Sequence, residues 1–179
     1  MSRVRRDCIF VALELVATLF SLAFDQIGST ISREATMPLI RNCQHCGQKN
    51  RIPAKHLAAT GRCGSCKNSL PPANEPLHPD PELFDEIVAQ SAVPVLVDFW
   101  AEWCGPCRAA APEVAKTAAN TAGRALVLKV DTEQYPQLAA RYNVRSIPNF
   151  VVFRNGKLVK QQPGLVRHDV MESWLASAA

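Results

Sequence analysis

Six of the chain's seven cysteines fall into three Cys-x-x-Cys pairs, Cys43/Cys46, Cys63/Cys66 and Cys104/Cys107, and only Cys8 stands apart. A two-residue gap is too short for the long-loop disulfides that staple small secreted domains. It is the spacing that metal chelation or thiol exchange requires, and it favours a reducing compartment. Cys8, inside a hydrophobic run, reads as a small apolar residue. A length of 179 residues with 47% hydrophobic content allows one substantial core and a small additional unit.

The third pair follows an apolar stretch, Val95-Leu96-Val97-Asp98-Phe99-Trp100, and precedes a helical pattern over 104–120 that Pro112 interrupts. That order places Cys104 at a helix N-terminus, where free backbone N–H groups and the macrodipole favour a thiolate. Only the thiolate attacks a disulfide, so Cys104 is the expected nucleophile and Cys107, one turn inside and less exposed, the resolving thiol. Gly105 is expected to let the chain turn tightly and Pro106 to stiffen the turn. Asp98 interrupts an otherwise apolar strand; buried there, it is expected to hold its proton and exchange it with Cys107. The competing reading makes Asp98 a structural acid paired with Lys129, and Lys129 on the neighbouring strand would tune the acid in either case.

The first two pairs are separated by sixteen residues, a spacing that returns a second two-thiolate knuckle to one tetrahedral zinc ion. Cys43, Cys46, Cys63 and Cys66 are therefore the expected ligands, and metal binding would supply the folding energy of a segment too short to bury its own core. Two further redox pairs are the alternative, against which neither pair has a strand before it or a helix after it. His45 and His56 read as surface residues. Residues 37–72 carry six Lys or Arg and no acid, whereas 73–179 carry ten bases and twelve acids. Part of that basic charge offsets the net charge of four thiolates on zinc. The segment has no Phe, Tyr or Trp to stack a base, so no nucleic-acid partner is expected.

Residues 71–81 contain five prolines and read as an extended, semi-rigid spacer. From Asp80 a helix begins, capped by that residue, with Leu83, Phe84, Ile87 and Val88 on one face. Strands at 125–130 and 150–153, a short helix at 135–142, an Asn155-Gly156 hairpin into an edge strand at 157–162 and a closing helix at 168–177 complete an α/β mixed sheet with helices on both faces. The apolar stretch 8–24, after Arg3, Arg5 and Arg6, leaves three readings open: an upstream extension before a start at Met37, a membrane anchor or export signal, or a packed helix. Its length is at the lower limit for a span, and Glu14, Thr18, Ser21 and Asp25 share one helical face.

Residues 82–179 resemble thioredoxin: Trp103-Cys104-Gly105-Pro106-Cys107 matches that family's active site, Asp98 its buried acid, Lys129 its lysine partner and Pro112 the kink of its long helix. With the tetracysteine segment in front, residues 37–179 resemble the bacterial thioredoxin 2 type. The resemblance implies a thioredoxin fold with a zinc-ribbon-like module at 37–72, a linker at 73–81 and the thioredoxin domain at 82–179, residues 1–36 having no counterpart. It implies a cis bond at Pro148, in Ser146-Ile147-Pro148, and a substrate groove bordered by Trp103, Ile147, Pro148 and Gly164. The Ile147 backbone would pair there with an extended target segment. It also implies a redox-active Cys104–Cys107 disulfide, protein-disulfide substrates, recycling by an NADPH-dependent thioredoxin reductase and a cytoplasmic location, the last unless residues 1–24 anchor or export the chain. Trp174 is expected in the closing-helix core. The proline-rich stretch stands where the family's first edge strand belongs, so that strand is expected to be short or missing.

Three function classes follow. One is a reductant of protein disulfides, with zinc structural or sensing oxidation. A second is a binding module whose zinc segment docks a partner. The third is an exported or membrane-held oxidoreductase.

Overall fold

The computed structural model describes residues 39–179; the expectations for the 8–24 stretch, Cys8 and Met37 lie outside them. Among the described residues no helix is long and apolar enough to cross a membrane.

The N-terminal part is two small antiparallel hairpins. Strands β1 (Leu39–Asn42) and β2 (Lys49–Ile52) flank the first cysteine pair, and β3 (Gly61–Arg62) and β4 (Ser69–Leu70) flank the second; each pair thus has a short strand before it, contrary to expectation, and a strand rather than a helix after it. A single 3-10 turn at Ala54–His56 lies between them. This module is not closed on itself. Ala54 and Leu57 are buried in the same apolar cluster as Leu83, Phe84 and Ile87, and the Arg41 guanidinium donates to the carbonyls of Leu57 and Pro71. Burying Leu57 against the larger domain therefore supplies folding energy to the module that does not depend on a metal.

The proline-rich segment departs from expectation. It is tied down at two points rather than free: Ala73 N–H donates to Leu57 O at 3.1 Å, and Leu77 N–H to Val127 O at 2.9 Å. Prolines lack the amide donor, but the residues between them keep theirs, and Ala73 and Leu77 use them to hold the segment against both neighbours. Leu77 forms a single parallel bridge with Leu128. Pro76 and Pro79 on either side prevent the bridge from growing into a strand.

Helix α1 (Pro81–Gln90) starts as its sequence dictates, with the Asp80 side chain accepting from Leu83 N–H at 2.8 Å. Strand β5 (Val95–Trp100) is the centre of the sheet and is buried on both faces. Next to it in the chain comes α2 (Gly105–Asn120), then β6 (Leu126–Asp131), α3 (Pro136–Arg141), β7 (Asn149–Arg154), β8 (Lys157–Pro163) and α4 (His168–Ser177). The strand order is β6-β5-β7-β8, with β5 and β6 parallel and the rest antiparallel. Asn155 and Gly156 make the β7–β8 turn with φ of +50° and +75°, the left-handed pair that this dipeptide tolerates best.

Alternation along β5 divides the core. Val95, Val97 and Phe99 meet α1 and α3, while Leu96 meets Ala110 and Val114 of α2 and Met171 and Leu175 of α4. The latter two helices are joined by Glu113, whose carboxylate takes the His168 backbone N–H at 2.8 Å and the ring Nδ1 at 2.6 Å. Trp174 is half-buried against this second cluster rather than fully inside it, with Lys160 Nζ 4.7 Å from its ring centre. Helices thus cover both faces of a mixed sheet, and the C-terminal end of β5 feeds straight into the third cysteine pair.

Candidate active site and metal centre

β5 ends at Trp100, and Cys104 becomes the N-cap of α2. Cys104 and Cys107 are joined in a disulfide with a Cα–Cα separation of 5.2 Å, and Cys107 N–H donates to the Cys104 sulfur at 3.1 Å. The same N–H, unpaired within the helix, would stabilise a thiolate on Cys104 once the bond is reduced. The expected difference in exposure is not found in the disulfide form: Cys104 is 3% and Cys107 2% exposed. Both cysteines form one buried cluster with Ala101, against which Trp100 and Ile147 pack, and the bond ties the Cys104 sulfur to the helix start. What separates the two cysteines is their place in the helix.

Gly105 also departs from expectation. It is the first residue of α2, and a Cβ there would meet only the end of Arg108, at 3.9 Å. The turn does not require a glycine. Gly164 does need one, with φ of +92°, and its N–H donates to Pro148 O at 2.8 Å. Pro106 sits in the first turn, where the missing N–H costs nothing.

On β5, the strand that leads into the pair, Asp98 is 1% exposed and neither carboxylate oxygen has a hydrogen-bond partner. Burial pushes its pKa up to about 7, against the opposing pull of the Lys129 charge. Lys129 stands directly opposite Asp98 in the β5–β6 register. It forms no ion pair with the acid; its Nζ lies 4.0 Å from the centre of the Trp100 ring. The reading of Asp98 as one half of a structural ion pair is therefore not realised in this geometry.

In the loop before β7 the Ile147–Pro148 peptide is cis. Ile147 N–H and C=O make no backbone hydrogen bond among the described residues, which leaves them free for a strand-like partner. Next to them Trp103, 67% exposed, opens onto a groove of about 300 Å³ lined also by Thr132, Ala139, Val144, Arg145, Ser146 and Ile147. Pro148 and Gly164 border the loop but not this groove. Thr132, Ala139 and Val144 escaped sequence reasoning because they come from three separate segments that only the fold brings together.

The second centre is built from the two hairpins. Cys43 Sγ lies 3.6 Å from Cys66 Sγ and Cys46 Sγ 3.7 Å from Cys63 Sγ, and all four sulfurs lie within 4.8 Å of one another. A tetrahedron with Zn–S bonds of about 2.3 Å has edges of about 3.8 Å, so the four thiols fit a zinc ion. Asn50 and Asn68 side-chain amides donate to the sulfurs of Cys63 and Cys66 at 3.7 and 3.4 Å, the kind of support that coordinating thiolates receive. Burial raises the Cys63 thiol, but the N–H groups of Cys66 and Ser65 outweigh it and bring the pKa down to about 6. His45 and His56 are both exposed, outside this cluster of sulfurs.

The thioredoxin family model matches residues 75–177, more than half of the chain. The chain belongs to the thioredoxin family. A second model, described as the N-terminal part of thioredoxin 2, matches residues 42–68, the two-hairpin module, so the architecture is that of the thioredoxin 2 type. Thioredoxin C-3 of Corynebacterium nephridii is 40% identical over 133 residues, covering 74% of this chain and 90% of that protein. Thioredoxin 1 of a Nostoc species is 48% identical over 83 residues, 46% of this chain and 78% of its own. Among solved structures, a mutant thioredoxin from Halobacterium salinarum superposes with a TM-score of 0.55 at 34% identity, over 59% of this chain and 92% of that one. The chain is a thioredoxin-type protein-disulfide oxidoreductase, and the four close cysteines in a zinc-ribbon module suggest zinc binding.

Proposed function

We propose that this thioredoxin reduces disulfides in extended protein segments, with Cys104 as the attacking thiolate and Cys107 as the resolving thiol. The observation that carries the reading is the cap geometry: Cys104 heads α2 with an amide aimed at its sulfur, and the strand leading into it carries a buried acid that has no partner. A target segment lies along Ile147, between Trp103 and the Pro148–Gly164 border, using the free Ile147 backbone groups. The Cys104 thiolate attacks one sulfur of the target disulfide, forming a mixed disulfide and expelling the other sulfur as a thiolate. Asp98 takes the Cys107 proton, and the new thiolate attacks the Cys104 sulfur. The target leaves as a dithiol after taking up two protons, and Cys104–Cys107 closes as the oxidised pair. Lys129 tunes Asp98 so that its proton affinity stays near neutrality, where a transfer in either direction is cheap.

An NADPH-dependent thioredoxin reductase returns the two electrons, and the reducing cytoplasm is the compartment in which this direction of exchange runs. Zinc bound by Cys43, Cys46, Cys63 and Cys66 supplies a structural cross-link between the hairpins. Exposed Cys46 is the ligand that an oxidant would reach first if the module also responds to redox conditions. The test is trapping: Cys104→Ser abolishes reduction of a disulfide-bonded test protein, and Cys107→Ser accumulates a mixed disulfide with it on a non-reducing gel. Undiminished reduction by Cys104→Ser would sink the proposal.

A further inference from the structure

Leu77, in the proline-rich segment, is set beside Leu128 by a parallel bridge, with Leu77 N–H on Val127 O at 2.9 Å and Lys129 N–H on Leu77 O at 2.8 Å. The β5–β6 register in turn sets Lys129 beside Asp98. One residue past the bridge, His78 comes beside Lys129, so that His78, Lys129 and Asp98 form a row across three adjacent segments. Leu77 and Leu128 pack into the core under α1. By alternation His78 and Lys129 project to the opposite side of the sheet, the side on which Leu96 and Asp98 lie. Along the row exposure falls from His78, exposed, through Lys129, half-buried, to Asp98 at 1%.

The middle of the row is held loosely. Lys129 rests on the face of Trp100 at 4.0 Å and makes no ion pair, while both Asp98 oxygens are unpartnered. Other charged groups near this side are occupied elsewhere. Asp80 caps α1, Asp131 accepts the N–H groups of Glu133 and Gln134, Arg108 donates to Glu102 O, and Glu113 is bonded to His168. Glu75, on the segment of His78 itself, is exposed and takes part in no ion pair among the described residues.

We infer that His78 is a positioning residue for Asp98: its charge sets how strongly Lys129 acts on the buried carboxylate, making proton exchange beneath the disulfide adjustable from the protein surface. The inference rests on the reading of Asp98 as the proton partner of Cys107. Partial desolvation and the Lys129 charge both hold His78 below the ordinary histidine pKa. The ring is therefore neutral at pH 7 and gains its charge in acid. A cation at this position favours the Asp98 carboxylate and lowers its pKa; an anion disfavours it, draws Lys129 outward and raises the pKa. Two strand spacings put the ring roughly 10 Å from the carboxylate, where a unit charge shifts a pKa by about 0.3–0.6 at low salt and less at physiological ionic strength.

The test uses the full reduced chain at low salt and titrates Asp98 by carboxyl-carbon NMR alongside the pH–rate profile for reduction of a protein disulfide. His78→Lys lowers the Asp98 pKa by about 0.3–0.6, His78→Glu raises it by at least as much, and His78→Gln matches wild type above pH 7. The rate-profile midpoint moves in the same directions, and about 1 M salt removes most of the shift. An Asp98 titration identical in all three variants, each with a native near-ultraviolet dichroism spectrum, while Lys129→Met moves it, overturns the role of His78 and leaves that of Asp98 intact. A pH–rate profile unchanged by Asp98→Asn overturns the proton-partner reading instead, and the NMR titration still decides whether His78 reaches the carboxylate.

Discussion

The cysteine pairs of the zinc module and the pair at the head of α2 have the same spacing and opposite geometry. In each hairpin of the zinc-ribbon module the chain reverses just after the second cysteine: Cys43 N–H reaches Gln48 O at 2.9 Å and Cys63 N–H reaches Asn68 O at 2.8 Å. Gly47 and Lys67 hold φ of +71° and +62° to make those turns. Each thiol is thereby turned away from its sequence partner toward the other knuckle, so the short contacts are Cys43–Cys66 and Cys46–Cys63. At Cys104 the chain enters a helix instead, and the helical rise puts Cys107 back over Cys104, where the two bond to each other. Two residues of spacing therefore decide little. The backbone after the pair decides whether four thiols meet one ion or two meet each other.

The largest effect expected from this contrast is a double dissociation. Cys63→Ser removes a buried thiol of the proposed zinc site, and zinc content measured by elemental mass spectrometry is expected to fall from about one per chain to near zero, with the module losing a metal contribution on the order of 10 kcal/mol. Thermal unfolding of the whole chain shifts downward too, because Leu57 leaves the core under α1 when its module loosens. Cys104→Ser does the reverse: zinc is retained and exchange activity is lost. Full zinc occupancy in Cys63→Ser would break the contrast.

A second, smaller effect separates the satisfied sulfurs of the module from the unsatisfied acid under the dithiol. Asp98 has a folded-state pKa of about 7, above its ordinary value of 3.8. The folded state therefore binds the proton more tightly than the unfolded chain does, and stability is lost as pH rises between those two values. Asp98→Asn removes that loss. Its gain over wild type is roughly 3–4 kcal/mol at pH 8 and vanishes below about pH 4, read by denaturant unfolding of the oxidised protein. A gain independent of pH would mean that packing, rather than the buried charge, limits stability.

Most of this layout was legible in the sequence because it rests on local rules. The apolar run through Val95 to Trp100, the Asp80 cap, the Asn155-Gly156 turn and the tetracysteine spacing each specify their element without help from the rest of the chain. What was not legible depends on long-range placement. Composition made 71–81 a spacer, yet the amides left on Ala73 and Leu77 find acceptors more than ten residues away, which no local pattern encodes. The same holds for Thr132 and Val144 in the groove, and for Lys129, which stands in register with Asp98 but settles on Trp100. Cys104 looked accessible from its motif; the covering Ile147 arrives from a loop forty residues later.

The smallest effect tests whether the left-handed residue after each knuckle is what turns the thiols apart. Gly47 and Lys67 occupy equivalent places, but only one is a glycine. Lys67 bears the steric cost of a Cβ at positive φ, on the order of 1 kcal/mol, set against the hydrogen bond from its ammonium to Gly64 O. That bond is exposed and contributes little. Lys67→Gly is accordingly expected to stabilise the zinc-loaded module by about 0.5 kcal/mol and slow zinc loss to a chelator about twofold, while Gly47→Ala, which meets no neighbour within 4 Å, costs about 1 kcal/mol through backbone strain alone and speeds it. Neither change should alter exchange at Cys104. Equal chelation rates in wild type and both variants would show that the turn conformation is incidental and that the hairpin pairing alone presents the four thiols to one ion.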